Sequence, residues 1–213
     1  IVADLEIPGA STITARIERP DVLMSDNVAS IAIDEARVLR VLLVCATGDA
    51  EADGQWPILD VIREIPRTTV RTISGSAWND LASTADSSSL FADLVILAGV
   101  EPGWARSRRL NVPIMTFGVL PVESLVTLGP LVPGRLIAWD RDHPLTRHLA
   151  LDSVVFSGAG ALESALGGSV VPIAWSEDGV AIACADDGAG RWLSVAFDAS
   201  ESNWPLQPSW PLF

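Results

Sequence analysis

The chain has 213 residues, of which 49% are hydrophobic and 19% charged, and its net charge is −13. This composition excludes a disordered chain, and the acidic balance argues against binding to nucleic acid or anionic lipid, which both need a basic face. No apolar run approaches the ~20 residues that a membrane helix requires, so we expect no direct membrane insertion of this segment.

Residues 1–36 alternate apolar and polar side chains at period two over three short segments, 4–7, 12–17 and 28–33. Turn-forming sequences separate these segments, and no helical pattern accompanies them. We therefore predict that residues 1–36 are the closing strands of a β-sandwich. Since neither Ile1 nor Phe213 looks like a natural terminus, we expect the chain to be an internal piece of a larger protein.

From Arg37 onward, strand and helix patterns alternate. The run 38–46 is continuously apolar, as in a strand buried on both faces of a parallel sheet. A helix follows between Pro57 and Pro66, with an apolar stripe at Ile58, Val61, Ile62 and Ile65. Further strands are expected at 69–73, 93–98 and 113–117, with short helices at 78–85 and 104–109. Residues 37–213 are thus predicted to form a Rossmann-like α/β domain, three-layered with a mostly parallel sheet.

The last third of the chain is richer in strands. Candidate strands are 135–139, 153–156 and 170–175, followed by a hairpin of 180–185 with 191–197. The ending from Asn203 to Phe213 contains three prolines, which disfavour regular structure.

The sequence contains no assembled nucleophile. There is no Gly-x-Ser-x-Gly, no Gly-x-Cys-x-Gly and no P-loop. Cys45 and Cys184 each lie in a strand-like run, which predicts buried unpaired thiols, and their spacing fits no metal or redox motif. The segment 158–163 is similar to the glycine-rich motif of dinucleotide-binding folds but has a glutamate in place of the third glycine. We expect no cofactor and no bound metal.

Ligands of open α/β sheets bind beyond the carboxyl ends of the strands. In this sequence those ends present Thr47, Gly48, Asp49, Gly99, Glu101 and Gly118. If Asp49 and Glu101 face one crevice, they could act as an acid/base pair or hold a cation. The alternative is that both are solvated loop acids.

Two further groups of residues have chemical potential. Asp140, Asp142 and His143 could form a carboxylate–imidazole cluster suited to metal binding or general-base chemistry, although aspartates around His-Pro are also common turn chemistry. The segment 198–202 spells Asp-x-Ser-x-Ser, the form of a metal-ion-dependent adhesion site. We interpret that match as coincidental, because the later Thr and Asp that such a site requires do not follow.

Four segments together resemble one protein family: Ser25-Asp-Asn27, Arg40-Val-Leu-Leu-Val44, Trp139-Asp-Arg-Asp-His-Pro-Leu145, and Phe197-Asp198 with the ending 203–213. They resemble the C-terminal region of bacterial membrane proteins of the aerotolerance (Bat) type. Such proteins carry a membrane-anchored von Willebrand factor A domain, an Ig-like segment and a class I glutamine amidotransferase-like domain. The resemblance implies that residues 1–36 are the closing strands of an Ig-like β-sandwich. It also implies that residues 37–213 are the amidotransferase-like domain, of flavodoxin-like fold, in the part of a membrane-anchored protein outside the cytoplasm. The catalytic cysteine and His–Glu pair of true amidotransferases have no matching positions, so no active-site residue carries over.

We therefore predict a non-catalytic interaction or scaffolding module of an envelope protein, whose partners are proteins or other domains of the same chain. The alternative is a small-ligand or carbohydrate-binding domain, or a hydrolase, that uses Asp49, Glu101, Asp140, Asp142 and His143. That alternative requires these side chains to converge in one pocket. A third interpretation is a homodimer formed through the tryptophan-rich end.

Overall fold

In the computed structural model the chain divides into two units, Ile1–Val38 and Leu39–Phe213. The structure describes residues 11–16, 28–33, 37–84, 91–100, 112–120, 126–164, 169–186 and 191–213. Within the first unit, β1 (Ser11–Arg16) pairs antiparallel with β2 (Val28–Ile33). The predicted strand at 4–7 lies outside the described residues.

The first half of the second unit alternates strands and helices as the sequence predicts. Its elements are β3 (Leu39–Cys45), α1 (Trp56–Glu64), β4 (Thr68–Ser74), α2 (Gly75–Thr84), β5 (Leu94–Ala98) and β6 (Ile114–Phe117). The apolar run buries β3 from Val41 to Cys45. In α1 the apolar stripe buries Ile58 and Ile62, and Pro57 is tolerated because it stands in the first turn. The predicted helix at 104–109 is outside the described part of the chain.

The second half of this unit is made of strands. They are β7 (Val126–Leu128), β8 (Val132–Trp139), β9 (Val155–Ala159), β10 (Leu162–Ser164), β11 (Ser169–Ser176), β12 (Gly179–Asp186) and β13 (Arg191–Val195). Strands β7 and β10 form a small antiparallel sheet. Two short 3₁₀ segments, Trp204–Leu206 and Trp210–Leu212, follow; we call them the C-terminal turns.

The large sheet has nine strands in the order β4-β3-β5-β6-β13-β12-β11-β8-β9. The pairs from β4 to β13 are parallel, and those from β13 to β9 are antiparallel. The predicted flavodoxin-like or Rossmann-like three-layer domain with a mostly parallel sheet is therefore wrong. Two residues, Glu177 and Asp178, join β11 to β12, and so short a link permits antiparallel pairing alone. The described residues form thirteen strands but only two α-helices.

The two faces of this sheet bury separate apolar clusters. Helix α1 and the C-terminal turns pack on one face, which we call the α1 face, with Ile96 and Phe117. Helix α2 packs on the opposite face through Trp78, against Val95 and Ile114. Because side chains alternate along a strand, β3, β5 and β6 contribute to both clusters, which explains their continuous apolar sequences.

The proline-rich ending belongs to the core of the α1 face. Trp204 is fully buried, and its ring centroid lies 5.2 Å from that of Trp210 and 4.6 Å from that of Phe213. Trp210 in turn meets Phe117 at 5.8 Å. The two tryptophans are thus anchors within their own unit rather than a free surface. In the part of the chain that the structure describes, no helix is both long and apolar enough to traverse a membrane.

Candidate functional site

The parallel strands β3, β5 and β6 end at one edge of the sheet, and a glycine with positive φ follows each of them. These are Gly48 (φ 89°), Gly99 (φ 63°) and Gly118 (φ 67°). A Cβ on Gly118 would lie 2.9 Å from the backbone nitrogen of Asp198, a distance that real side chains do not adopt. Gly118 therefore allows the chain after β13 to cross directly against the end of β6.

Asp198 is the centre of a hydrogen-bond network at this edge. Its carboxylate accepts the Gln55 amide nitrogen at 3.0 Å on Oδ2 and 3.2 Å on Oδ1. Oδ1 also accepts the backbone nitrogen of Ser200 at 2.8 Å and the Ser200 hydroxyl at 2.7 Å. We call Gln55, Asp198 and Ser200, with Gly99 and Gly118, the carboxyl-edge junction, because it joins the start of α1 to the ends of three strands.

Gln55 is 3% exposed and stands immediately before α1. A Cβ on Gly99 would lie 3.2 Å from the side-chain amide nitrogen of Gln55 and 3.1 Å from Asp198 Oδ2. The glycine therefore leaves room for the Gln55–Asp198 pair. The amide oxygen of Gln55 is buried and has no hydrogen-bond partner among the described residues. A buried oxygen without a partner is costly, so it marks a place where a donor would be stabilised.

Asp49 and Asp53 shape the loop between β3 and α1. The Asp53 carboxylate accepts the backbone nitrogen of Thr47 at 2.7 Å and its hydroxyl at 3.1 Å. Asp49 Oδ1 accepts the backbone nitrogens of Glu51 at 3.0 Å and Ala52 at 3.2 Å, which is an Asx-type turn. Asp49 is thus an exposed loop acid occupied with its own backbone. Glu101, its predicted companion, lies outside the described residues.

Asp140, Asp142 and His143 share one turn after β8. Asp140 Oδ1 accepts the backbone nitrogen of Asp142 at 2.9 Å, and His143 Nδ1 accepts that of Leu145 at 3.3 Å. The buried Thr146 hydroxyl donates to the Asp140 carbonyl. These contacts are those of a closed loop, the structural alternative considered from the sequence.

The structure does not join this loop to Asp49. Strand β8 is antiparallel to β11, and five strands stand between β3 and β8 in the sheet order. Among the described residues, no hydrogen bond links Asp49 to the loop, and no three His, Cys, Asp or Glu side chains are grouped to hold a metal ion. Two separate places on the sheet therefore carry the predicted acidic residues.

Both thiols are poor nucleophiles. Cys45 is fully buried, and burial, followed by its hydrogen bond to Asp53, raises its pKa to about 11. Burial also raises the pKa of Cys184, which is half-buried. Both side chains are therefore protonated at neutral pH, and the thiol form does not attack carbonyl groups.

The Asp-x-Ser-x-Ser segment is likewise engaged internally. The Ser202 hydroxyl donates to the Ala199 carbonyl at 2.9 Å and accepts the Trp204 backbone nitrogen at 3.3 Å. It therefore closes the turn that leads into the first C-terminal turn. Gln55 was missed in the sequence, because no local pattern connects a glutamine before Trp56-Pro57 with Asp198.

No family profile matches the chain, and no curated protein matches its sequence. Among solved structures, it is similar to the cytoplasmic protein STM1381 of Salmonella typhimurium LT2, with 8% identity and a TM-score of 0.52, over 96% of this chain and 93% of that one. It is also similar to the cytoplasmic protein STM3548 of Salmonella typhimurium, with 9% identity and a TM-score of 0.54, over 82% and 95% of the two chains. A thua-like protein of Parabacteroides merdae matches at 10% identity and a TM-score of 0.49, over 76% and 79%.

At such identities the two Salmonella structures show a likeness of fold alone. Both are described as cytoplasmic proteins, which contradicts the prediction of an extracytoplasmic part of a membrane-anchored protein, and we do not retain that location. None of the three is described as a Bat-type or von Willebrand factor A protein. The resemblance to that family stays a prediction.

Proposed function

We propose that the unit Leu39–Phe213 is a non-catalytic interaction module whose partners are proteins or other domains of its own chain. The observation that carries the proposal is the bonding of Asp198, the acid at the meeting point of the strand ends. Both of its carboxylate oxygens accept hydrogen bonds from Gln55 or Ser200. A carboxylate held in this way acts as a cross-link within the fold rather than as a free general base.

The C-terminal turns supply a surface for a partner. Leu206 is 79% exposed and Leu212 is 65% exposed, whereas the neighbouring Trp204 and Trp210 are buried. Two large apolar side chains are thus exposed to solvent on segments that the buried Trp204 and Trp210 hold in place. Apolar side chains held in a fixed position are suited to fill pockets on another protein.

The absence of catalysis is tested by assaying the purified protein with glutamine, ester and glycoside substrates beside an Asp198→Asn variant. We expect both proteins to give the same background rate. Turnover by the natural sequence that the variant loses would contradict the proposal, because it would make Asp198 part of a reacting centre.

The interaction surface is tested with a photo-reactive phenylalanine analogue introduced at Leu206 in the intact protein in its own cells. The matched control carries the analogue at Glu177, whose side chain is 70% exposed. We expect discrete cross-linked products from position 206 that do not form from position 177. Equal products from both positions, or none from position 206, would contradict a partner at the C-terminal turns.

A second candidate function, binding of a small polar ligand at the carboxyl edge, is favoured by the unpaired oxygen of Gln55. A ligand with a hydrogen-bond donor would satisfy this oxygen. The candidate predicts that some amine or amide in a thermal-shift series raises the Tm of the natural protein but not that of a Gln55→Met variant. If no compound discriminates between the two proteins, this candidate is rejected.

A further inference from the structure

An apolar cavity of about 140 Å³ lies on the α1 face of the sheet. Ile96 and Met115 form part of its floor on β5 and β6. Val61 of α1 and Ile65, the residue that follows the helix, form one wall, and Trp210 and Phe213 form the other. The cavity is thus enclosed on three sides, by the sheet, by a helix and by the end of the C-terminal turns.

The side chains that line this cavity offer no hydrogen bond to an occupant. Every residue that lines it is apolar. The single polar side-chain atom among them, the indole nitrogen of Trp210, already donates to the Pro57 carbonyl at 3.2 Å. A polar group placed in the cavity would lose its hydrogen bonds to water without replacement, so a hydrocarbon group is the occupant that this chemistry selects.

The size and the rim of the cavity restrict the occupant further. Protein interiors leave few voids larger than a water molecule, and an apolar cavity of roughly 150 Å³ in another protein binds benzene rather than water. The rim is accessible, since Ile65 is 42% exposed and Val61 and Phe213 are half-buried. The volume suits one ring or one short chain and not the row of side chains that a docked helix presents.

We propose that this cavity binds the hydrocarbon part of a small molecule whose polar end stays in solvent at the rim beside Ile65 and Phe213. The site uses neither Asp198 nor Leu206, so it does not depend on the function proposed above. Benzene and octanoate represent the two forms in which the hydrocarbon could be supplied, an aromatic ring and an acyl chain.

The methyl resonance of Met115 can report binding of a probe in the cavity. The chain contains two methionines, Met24 and Met115, of which Met115 lines the cavity. In protein labelled with ¹³C at the methionine methyl groups, we expect benzene or octanoate to shift the Met115 resonance saturably. A Met24→Leu variant assigns the two signals. The probe that binds more tightly identifies the form of the hydrocarbon.

Two variants test whether the probe binds in this cavity. Val61→Phe places a ring in the cavity and should weaken probe binding at least tenfold. Val171→Phe is the matched control, because Val171 lies on the same face of the sheet, in the row of Met115, but outside the lining. As a measurement independent of the NMR signal, the preferred probe should raise the Tm of the natural protein and of Val171→Phe but not of Val61→Phe.

The absence of a saturable Met115 shift with either probe would overturn the proposal. So would equal affinity of Val61→Phe and the natural protein. If Val61→Phe does not fold, Ile65→Phe at the rim takes its place, and unchanged affinity in that variant would overturn the proposal equally.

Discussion

The carboxyl-edge junction and the loop from Trp139 to His148 both follow a strand and both contain acids, yet they are built in opposite ways. The junction joins Gln55 to Asp198, which are 143 residues apart in the sequence. In the loop, the side chains of Asp140 and His143 each accept a backbone nitrogen two residues away, and the Thr146 hydroxyl donates to the Asp140 carbonyl. The Asp140 backbone nitrogen reaches further, to the Ile173 carbonyl of β11 at 2.8 Å. The junction therefore links distant parts of the unit, whereas the loop mainly closes on itself. The difference teaches that strand direction, and not the presence of acids after a strand, decides which polar residues meet.

The largest expected effect of a substitution is at Asp198. Asp198→Ala removes the acceptor of three donors: the Gln55 amide, the Ser200 backbone nitrogen and the Ser200 hydroxyl. We expect a loss of about 2–4 kcal/mol in the free energy of unfolding, measured by urea denaturation with tryptophan fluorescence. Asp152→Ala, at an exposed turn, is the control and should change it little. If both variants were equally stable, Asp198 would not be a cross-link.

Gly118→Ala tests the close crossing of the chain over the end of β6. The new Cβ would stand 2.9 Å from the Asp198 nitrogen, at a residue with φ of 67°. Strain and displacement together should cost about 2 kcal/mol. Gly158→Ala is the control, since the nearest atom to its Cβ would be at an ordinary 3.5 Å. Similar thermal unfolding of the two variants would show that the edge has room to relax.

A double-mutant cycle measures how strongly the junction is coupled. Gln55→Met, Asp198→Asn and their combination should give a coupling free energy of about 1 kcal/mol, because the two side chains share two hydrogen bonds. The cycle Gln55→Met with Asp140→Asn should give no coupling within error. Additivity in the first cycle would mean that the contacts do not contribute to stability.

Thr146→Val tests a buried contact of the loop. The hydroxyl donates to the Asp140 carbonyl from a fully buried position, so its loss should cost about 1 kcal/mol. Thr69→Val, at an exposed position of β4, should be neutral in the same denaturation experiment. A cost above that of Asp198→Ala would reverse the comparison between the two regions.

The smallest effects are expected at the acids and the imidazole of the loop. Asp140→Asn keeps the acceptor for Asp142, and His143→Ala removes one long hydrogen bond near the surface, so each should change stability by no more than about 0.5 kcal/mol. Binding to any partner or ligand should also be unchanged. A loss of binding in either variant would give the loop the functional role that its internal hydrogen bonds argue against.

The positions of the elements in the parallel half of the sheet could be predicted because the signals are local. The apolar run of β3 and the stripe on α1 depend on periodicities that the neighbouring residues already carry. The pairing of β8 to β12 could not be predicted in the same way. The sequence predicted the hairpin of 180–185 with 191–197 but otherwise a mostly parallel sheet, whereas the two-residue link between β11 and β12 permits antiparallel pairing alone.

The candidate site was predicted less well than the fold. Asp49 and the strand-end glycines were placed at the correct edge, but Asp198 was weighed only as part of a metal motif. Gln55 has no local signal, because its role follows from a contact with a residue near the other end of the chain. Such contacts depend on how strands are ordered in the sheet, which periodicity does not report.

The amino-acid sequence by itself determined which segments become strands or helices, which of their faces are apolar and where the chain turns. These properties follow from side-chain spacing and from glycine and proline, whose effects are local. The tertiary structure alone decided that the sheet is half antiparallel, that Asp198 meets Gln55 across the strand ends, and that Trp204 and Trp210 of the proline-rich ending are buried. Those outcomes depend on the order and direction of strands, because only packing brings residues that are distant in sequence into contact.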